Sequence, residues 1–291
     1  MHAWIEENAH VTILRSAVAP RDCFGQAHPV SGRVFSVAAL VFGLTTFTVY
    51  AVAPQRVQSD SIWSIPLALT LLQDGSLTLD RYADTCARVP HGCSTLNGHL
   101  RPEFPIATSL IAAIPLALVE GVVHVWPWPN RAFERWETHA HARGDITLDF
   151  FDVTENLIAS GVVALAAVFF FLAALRRLGT VRGALMAAVV FAFGTSLFST
   201  ASRVLWQHGP ALLFATIALW LSLRVSTRRG LLLLGVCLGA AWVCRPTMAL
   251  FGLAMCWPLW CTHRWVNHCR RTSPRRGSVR RRSGKRSPEI W

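Results

Sequence analysis

Apolar blocks that approach the thickness of a bilayer constrain this chain more than any other feature. Crossing a hydrocarbon core as a helix takes about 20 apolar residues. Residues 34–53, VFSVAALVFGLTTFTVYAVA, reach that length and end at Pro54. Residues 104–123, 157–175, 184–198 and 205–223 form further blocks. Residues 231–260 make a run too long for one straight span and short for two, with Arg245 and Pro246 at its middle. Proline lacks a backbone donor and disfavours helix at the residue before it, so two short helices meeting at a break are expected there. A mean hydropathy of +0.39 and 53% hydrophobic residues exclude an ordinary soluble domain. The expected fold is all-α: a polytopic transmembrane helical bundle of about six to seven spans with a long first extracytoplasmic loop.

Three regions follow. Residues 1–33 are an N-terminal polar segment, 34–261 the transmembrane domain with its loop at 54–103, and 262–291 a basic disordered tail. The net charge of +12 is mostly that tail. Its Arg, Ser, Gly and Pro have almost nothing to bury. The tail reads as a headgroup- or nucleic-acid-binding segment, as a solvated cytoplasmic end, or as sequence outside the natural frame of a truncated protein. No specific nucleic-acid partner is expected. The start of the chain lacks the pattern of a cleaved signal peptide, so the first span would serve as an uncleaved one.

Within the first loop, residues 62–72, IWSIPLALTLL, form an apolar island too short to cross. It suits an interfacial or re-entrant helix. Cys86 and Cys93 share this loop and can pair if it faces an oxidising compartment. Cys237, Cys244, Cys256 and Cys261 read as small buried hydrophobes. Trp126, Trp128 and Trp136 fit a headgroup belt. Arg176, Arg177 and Arg182, with Arg224, Arg228 and Arg229, place two short loops in the cytoplasm. Arg15, Arg21 and Arg33 then conflict with two spans before residue 124, unless the island or residues 124–156 hide a crossing.

The polar residues beside these blocks carry the functional possibilities. Asp60 precedes the island between two serines. It is a general base for an acceptor hydroxyl, or a helix cap. Asp74, Asp80 and Asp84 read as turn and surface residues. Arg101 and Glu103, at the start of the second span, pair with each other or lipid, or line a cleft shared with Asp60. In ASRVLWQHGPALLF, Arg203 and Trp206 are three apart and would share a helix face. Arg203 suits a phosphate, Trp206 a sugar or prenyl chain, and His208 a phosphate or a proton. Anchoring at the headgroups explains the same residues. Arg245 lies between two apolar stretches, where a charge is costly and usually faces a partner or pathway; a snorkelling arginine is the alternative. His139 and His141 are a weak metal signal without further ligands. Phosphate-loop, nucleophile-elbow and dinucleotide fingerprints are absent, against an ATPase or a serine hydrolase.

The order SDSIWSIPLALTLLQDGSLTLDRY, EFPIATSL, ASRVLWQHGPALL and LGAAWVCRPTMALF resembles the bacterial integral-membrane glycosyltransferases of the C type, the group of protein mannosyltransferase-like and aminoarabinose-transferase-like enzymes. The resemblance spans roughly residues 34–261. It implies a polyprenyl-phosphate sugar as donor and residues 54–103 outside. It implies Asp60 as the catalytic acid of the first loop, with Glu103, Arg203, Trp206, His208 and Arg245 as substrate-binding residues. Two departures stand out. One acid flanked by serines replaces an adjacent pair, and Ile106 and Ala107 replace a Pro and a Gly. The expected function is transfer of a sugar to a lipid, glycan or protein acceptor, in the inner membrane as a multi-pass protein. A divalent metal ion can bridge acid and phosphate, but no ligand set is visible. A transporter or flippase-like protein, and a non-catalytic or truncated membrane protein, are the alternatives.

Overall fold

The computed structural model describes residues 32–53, 61–88, 90–125, 150–225 and 227–257. Asp60, Trp126, Trp128, Trp136, His139, His141, Cys261 and the basic tail lie outside the described residues. In chain order, helix α1 covers Gly32–Val52, α2 Ser64–Asp74, and a 3-10 turn Asp80–Tyr82. Next come α3 Ala83–Arg88, strands β1 Cys93–Leu96 and β2 His99–Pro102, and α4 Ala107–Val125. Then follow α5 Phe150–Leu178, α6 Val181–Phe193, a π turn Leu197–Ala201, α7 His208–Ser222 and α8 Arg228–Cys244. A last apolar helix, α9, covers Met248–Trp257.

The 29-residue α5 is the axis of the bundle. Helices α1, α6 and α7 pack against it, and α8 packs on α7. Ala184, Ala188 and Ala192, four apart on α6, are fully buried. Small residues at that spacing let two helices approach closely. Tyr50 and Phe171 fill the core beside them. The Tyr50 hydroxyl donates to the Ala192 carbonyl at 2.7 Å, tying the end of α1 to the end of α6.

Phe35–Val52 and Asp152–Leu178 are long and apolar enough to cross a membrane. The apolar stretches Ala107–Val122, Val181–Phe193, His208–Ser222 and Met248–Trp257 are shorter. Large apolar side chains face outward along the bundle, among them Leu40 and Leu44 of α1, Ile114 and Leu118 of α4, Met186 of α6 and Leu232 of α8. Soluble monomers rarely leave so much contiguous apolar surface bare. Hydrocarbon covers it without cost.

The all-α expectation holds for the bundle but not for the loop, which contains an antiparallel hairpin pairing Cys93 with Pro102 and Leu96 with His99. Asn97 and Gly98 have φ of 53° and 80°, the two positive values that a tight hairpin turn needs. Cys86 and Cys93 form a disulfide joining α3 to β1. Asp80 does more than decorate a turn. Its carboxylate accepts from the Leu100 N–H at 2.7 Å and meets His99 Nδ1 at 2.7 Å. The Leu79 N–H donates to the Leu100 carbonyl. The island forms α2, eleven residues and about 16 Å long, whose Ile65 and Ala68 are buried against the bundle and whose Leu67 is buried against Trp63, Leu79 and Cys86 of the loop, instead of crossing a bilayer. Of the cysteines expected to be buried, Cys244 is, Cys237 is half-buried and Cys256 is exposed among the outward apolar residues Leu253 and Trp257.

Candidate functional site: a cleft where helix ends meet

Several helix ends converge at one end of the bundle. The Asn156 amide at the start of α5 donates to Ala51 O at the end of α1 at 3.1 Å. Ala107 of α4, Ala211 of α7 and Cys244 of α8 form one apolar cluster. Between these ends lies a cleft of about 110 Å³. Its walls come from the start of α2 (Trp63, Ser64), the segment leading into α4 (Phe104, Thr108, Ser109) and the turn before α7 (Leu205, Trp206, His208).

The loop is braced onto this cleft. Trp63 Nε1 donates to His91 O at 2.9 Å, and Glu103 N donates to Gly92 O at 2.9 Å. Gly92 has φ +77°, and a Cβ there would stand 2.6 Å from Phe104. Only glycine meets both demands, so Trp63 and Phe104 can close over the loop backbone.

The turn before α7 departs from the sequence expectation. Residues 205–223 do not form one helix; α7 begins only at His208. Gly209 and Pro210 sit in its first turn, where the missing proline N–H costs nothing. Before it, the π turn and an irregular stretch bend the chain. Arg203 and Trp206 therefore do not share a helix face. Arg203 folds back: its Nε donates to Phe198 O at 3.0 Å and its guanidinium lies 4.8 Å from the Phe198 ring. Trp206 instead enters the cleft wall, edge-on to His208 with ring centroids 5.2 Å apart. Trp206 Nε1 and His208 Nδ1 are buried and have no hydrogen-bond partner among the described residues. Two polar atoms left so in a cleft wall are costly unless a ligand or water satisfies them.

Arg245 lies where the sequence places a break. It takes extended backbone after α8, with φ −150° and ψ 113°, as a residue before proline should. Glu103 is exposed, and the cleft wall runs through its neighbours Pro102 and Phe104. Trp206 and His208 are thus brought together in the cleft wall, and Arg203, Glu103 and Arg245 are not among the residues that line it. Among the described residues no three His, Cys, Asp or Glu side chains converge as a metal site requires.

Sequence reasoning missed Glu155. It is buried on α5, and its carboxylate accepts from the Leu205 N–H at 2.7 Å. Asn156 and Ser160 sit beside it, and Ser160 Oγ donates to Ser202 O at 3.2 Å. The signal was present: Glu155 and Asn156 stand just ahead of the apolar block at 157, and Ser160 lies one helical turn after Asn156 inside it.

Residues 150–274 match the family described as dolichyl-phosphate-mannose-protein mannosyltransferase. No curated protein and no solved structure matches the chain. The matched stretch contains Glu155, Arg203, Trp206, His208 and Arg245, while Asp60 and Glu103 precede it. The match supports a membrane glycosyltransferase of the C type.

Proposed function

We propose that this protein transfers a sugar from a polyprenyl-phosphate donor to a hydroxyl of a lipid, glycan or protein acceptor, as a multi-pass protein of the inner membrane. The observation that carries the reading is the cleft with two unsatisfied buried groups, Trp206 Nε1 and His208 Nδ1. Its volume of about 110 Å³ approaches the ~150 Å³ that holds one aromatic ring, so it suits a sugar ring or a phosphate. The prenyl chain lies along the outward apolar faces. The Cys86–Cys93 disulfide favours an oxidising compartment for the loop and cleft. The arginines at the opposite helix ends favour the cytoplasm.

In this reading the acceptor oxygen attacks the anomeric carbon and the bond from that carbon to the phosphate oxygen breaks. The acceptor proton passes to the Asp60 carboxylate. The leaving polyprenyl phosphate gains negative charge, which Arg245 and His208 stabilise where it develops. Trp206 offers an indole N–H to a sugar hydroxyl or phosphate oxygen. Mannose is the first donor sugar to test, being the sugar named for the matching family.

The test uses the full chain in proteoliposomes with a polyprenyl-phosphate-linked, radiolabelled sugar and a membrane extract as acceptor source. Label should move to acceptor in the wild type. Asp60→Asn should lower transfer by about 10³-fold, within the reach of a lost general base, while inserting normally. Undiminished transfer by Asp60→Asn would remove the base assignment. Uptake of free sugar without any transfer would replace the enzyme with a transporter.

A further inference from the structure

The cleft wall that holds Trp206 and His208 is irregular backbone, and irregular backbone needs something to hold it. Residues 202–207 belong to neither the π turn nor α7. The Ser202 and Arg203 N–H groups bond back to Leu197 O and Thr200 O of the π turn, and the Trp206 and Gln207 carbonyls accept from the Gly209 and Ala211 N–H groups of α7. Leu205 is gripped from two sides: its N–H donates to the Glu155 carboxylate at 2.7 Å, and its carbonyl accepts from Ser64 Oγ at 3.2 Å. Glu155 also hydrogen-bonds the Ser61 side chain, just ahead of α2. One buried carboxylate on the central helix therefore joins both segments that frame the cleft. Ser160 adds a second bond to the same turn through Ser202 O.

A buried carboxylate is an expensive way to hold a backbone N–H. A serine or asparagine caps as well at far smaller desolvation cost. Glu155 is nonetheless 8% exposed, beside the buried Thr154, Asn156 and Ser160 of the same helix. We infer that Glu155 is a positioning residue for sugar transfer: it clamps Leu205 and so fixes Trp206 and His208 at the cleft. It acts through the turn and does not touch the reacting atoms. The inference rests on the proposed transferase reading for its kinetic readout but not for its structural one.

Two variants separate these roles. Glu155→Gln keeps an acceptor oxygen for the Leu205 N–H; Glu155→Leu keeps the volume and removes it. Backbone amide hydrogen exchange of residues 204–207 is read in the reconstituted protein, alongside transfer. Glu155→Leu should raise exchange at Leu205 by about tenfold or more, the loss expected for a bond to a charged group, and Glu155→Gln should leave it within about twofold. Transfer should follow: kcat/KM down by about tenfold in Glu155→Leu and largely restored in Glu155→Gln. Unchanged exchange at 204–207 in Glu155→Leu would overturn the clamp whatever the activity. Loss of transfer in Glu155→Gln with the turn still protected would also overturn it, because the carboxylate would then act directly. If the wild type transfers no sugar but Glu155→Leu loosens the turn, the clamp stands and the transferase reading falls.

Discussion

The two ends of the bundle are built by different means. At the cleft end, backbone leaves the helix repeatedly: the π turn, the stretch before α7, the Arg245–Pro246 break and the hairpin all lie there. Polar side chains satisfy that backbone, with the buried Glu155, Asn156 and Ser160 and the half-buried Ser64 each bonding a neighbouring segment. At the other end the helices connect by short links, capped by Thr180 to the Gly183 N–H and by Thr227 to the Gly230 N–H. Arg176, Arg177, Arg182, Arg224, Arg228 and Arg229 crowd that end, and the sequence has no Asp or Glu between Glu155 and Glu289 to offset them. Arg224 lies 4.5 Å from the Trp220 ring, and Arg176 Nε reaches Leu223 O at 3.5 Å. Irregular backbone inside a membrane protein is tolerated where it lines a cavity, and plain capped helix ends suffice elsewhere. The proposed chemistry is assigned to the cleft end on the strength of this asymmetry.

The comparison can be sharpened by variants at the cleft end. Cys86→Ser removes the disulfide that closes a short loop, and should destabilise the loop by about 2 kcal/mol, seen as earlier proteolysis between α2 and α4 with the bundle intact. Equal protease resistance with and without reductant would mean the disulfide does not hold the loop. A smaller effect is expected for Tyr50→Phe, which removes the bond to Ala192 O: about 1 kcal/mol, read as a lowered Tm in detergent. No change in Tm would mean that water or a neighbour satisfies Ala192.

The smallest effect is a pH dependence. The Leu100 N–H and then His99 hold the Asp80 carboxyl below the ordinary carboxylate range. A carboxyl lowered by folding stabilises above its unfolded pKa of about 4, and that support is lost as pH falls through the lower native value. Hairpin amides should therefore exchange faster in acid below about pH 4, and Asp80→Asn should abolish that step. An identical acid profile in Asp80→Asn would assign the loss to other groups.

Much of this contrast was legible in the sequence. Apolar blocks marked the helices, and Arg245–Pro246 marked the break because proline acts locally. The island was recognisable as too short to cross. The turn at 202–207 was not legible: Val204, Leu205 and Trp206 are as apolar as a helix would want, and hydropathy cannot distinguish buried irregular backbone from buried helix. Glu155 was missed for the complementary reason. It lies in a polar run that reads as loop, and only packing against Leu205 shows that α5 begins at Phe150. The Asn97–Gly98 pair is a local hairpin signal that went unread, whereas the clasp of Asp80 on residues 99–100 joins positions too far apart in sequence for a local pattern to encode.

The central claim is that the cleft end binds the donor and the arginine-rich end does not. Sugar transfer from a polyprenyl-phosphate donor by His208→Ala and by Arg229→Ala, in matched proteoliposomes, tests it most directly. The account expects His208→Ala to lose about tenfold or more in kcat/KM and Arg229→Ala to stay within about twofold of wild type. Equal losses in the two variants, or full transfer by His208→Ala, would contradict it.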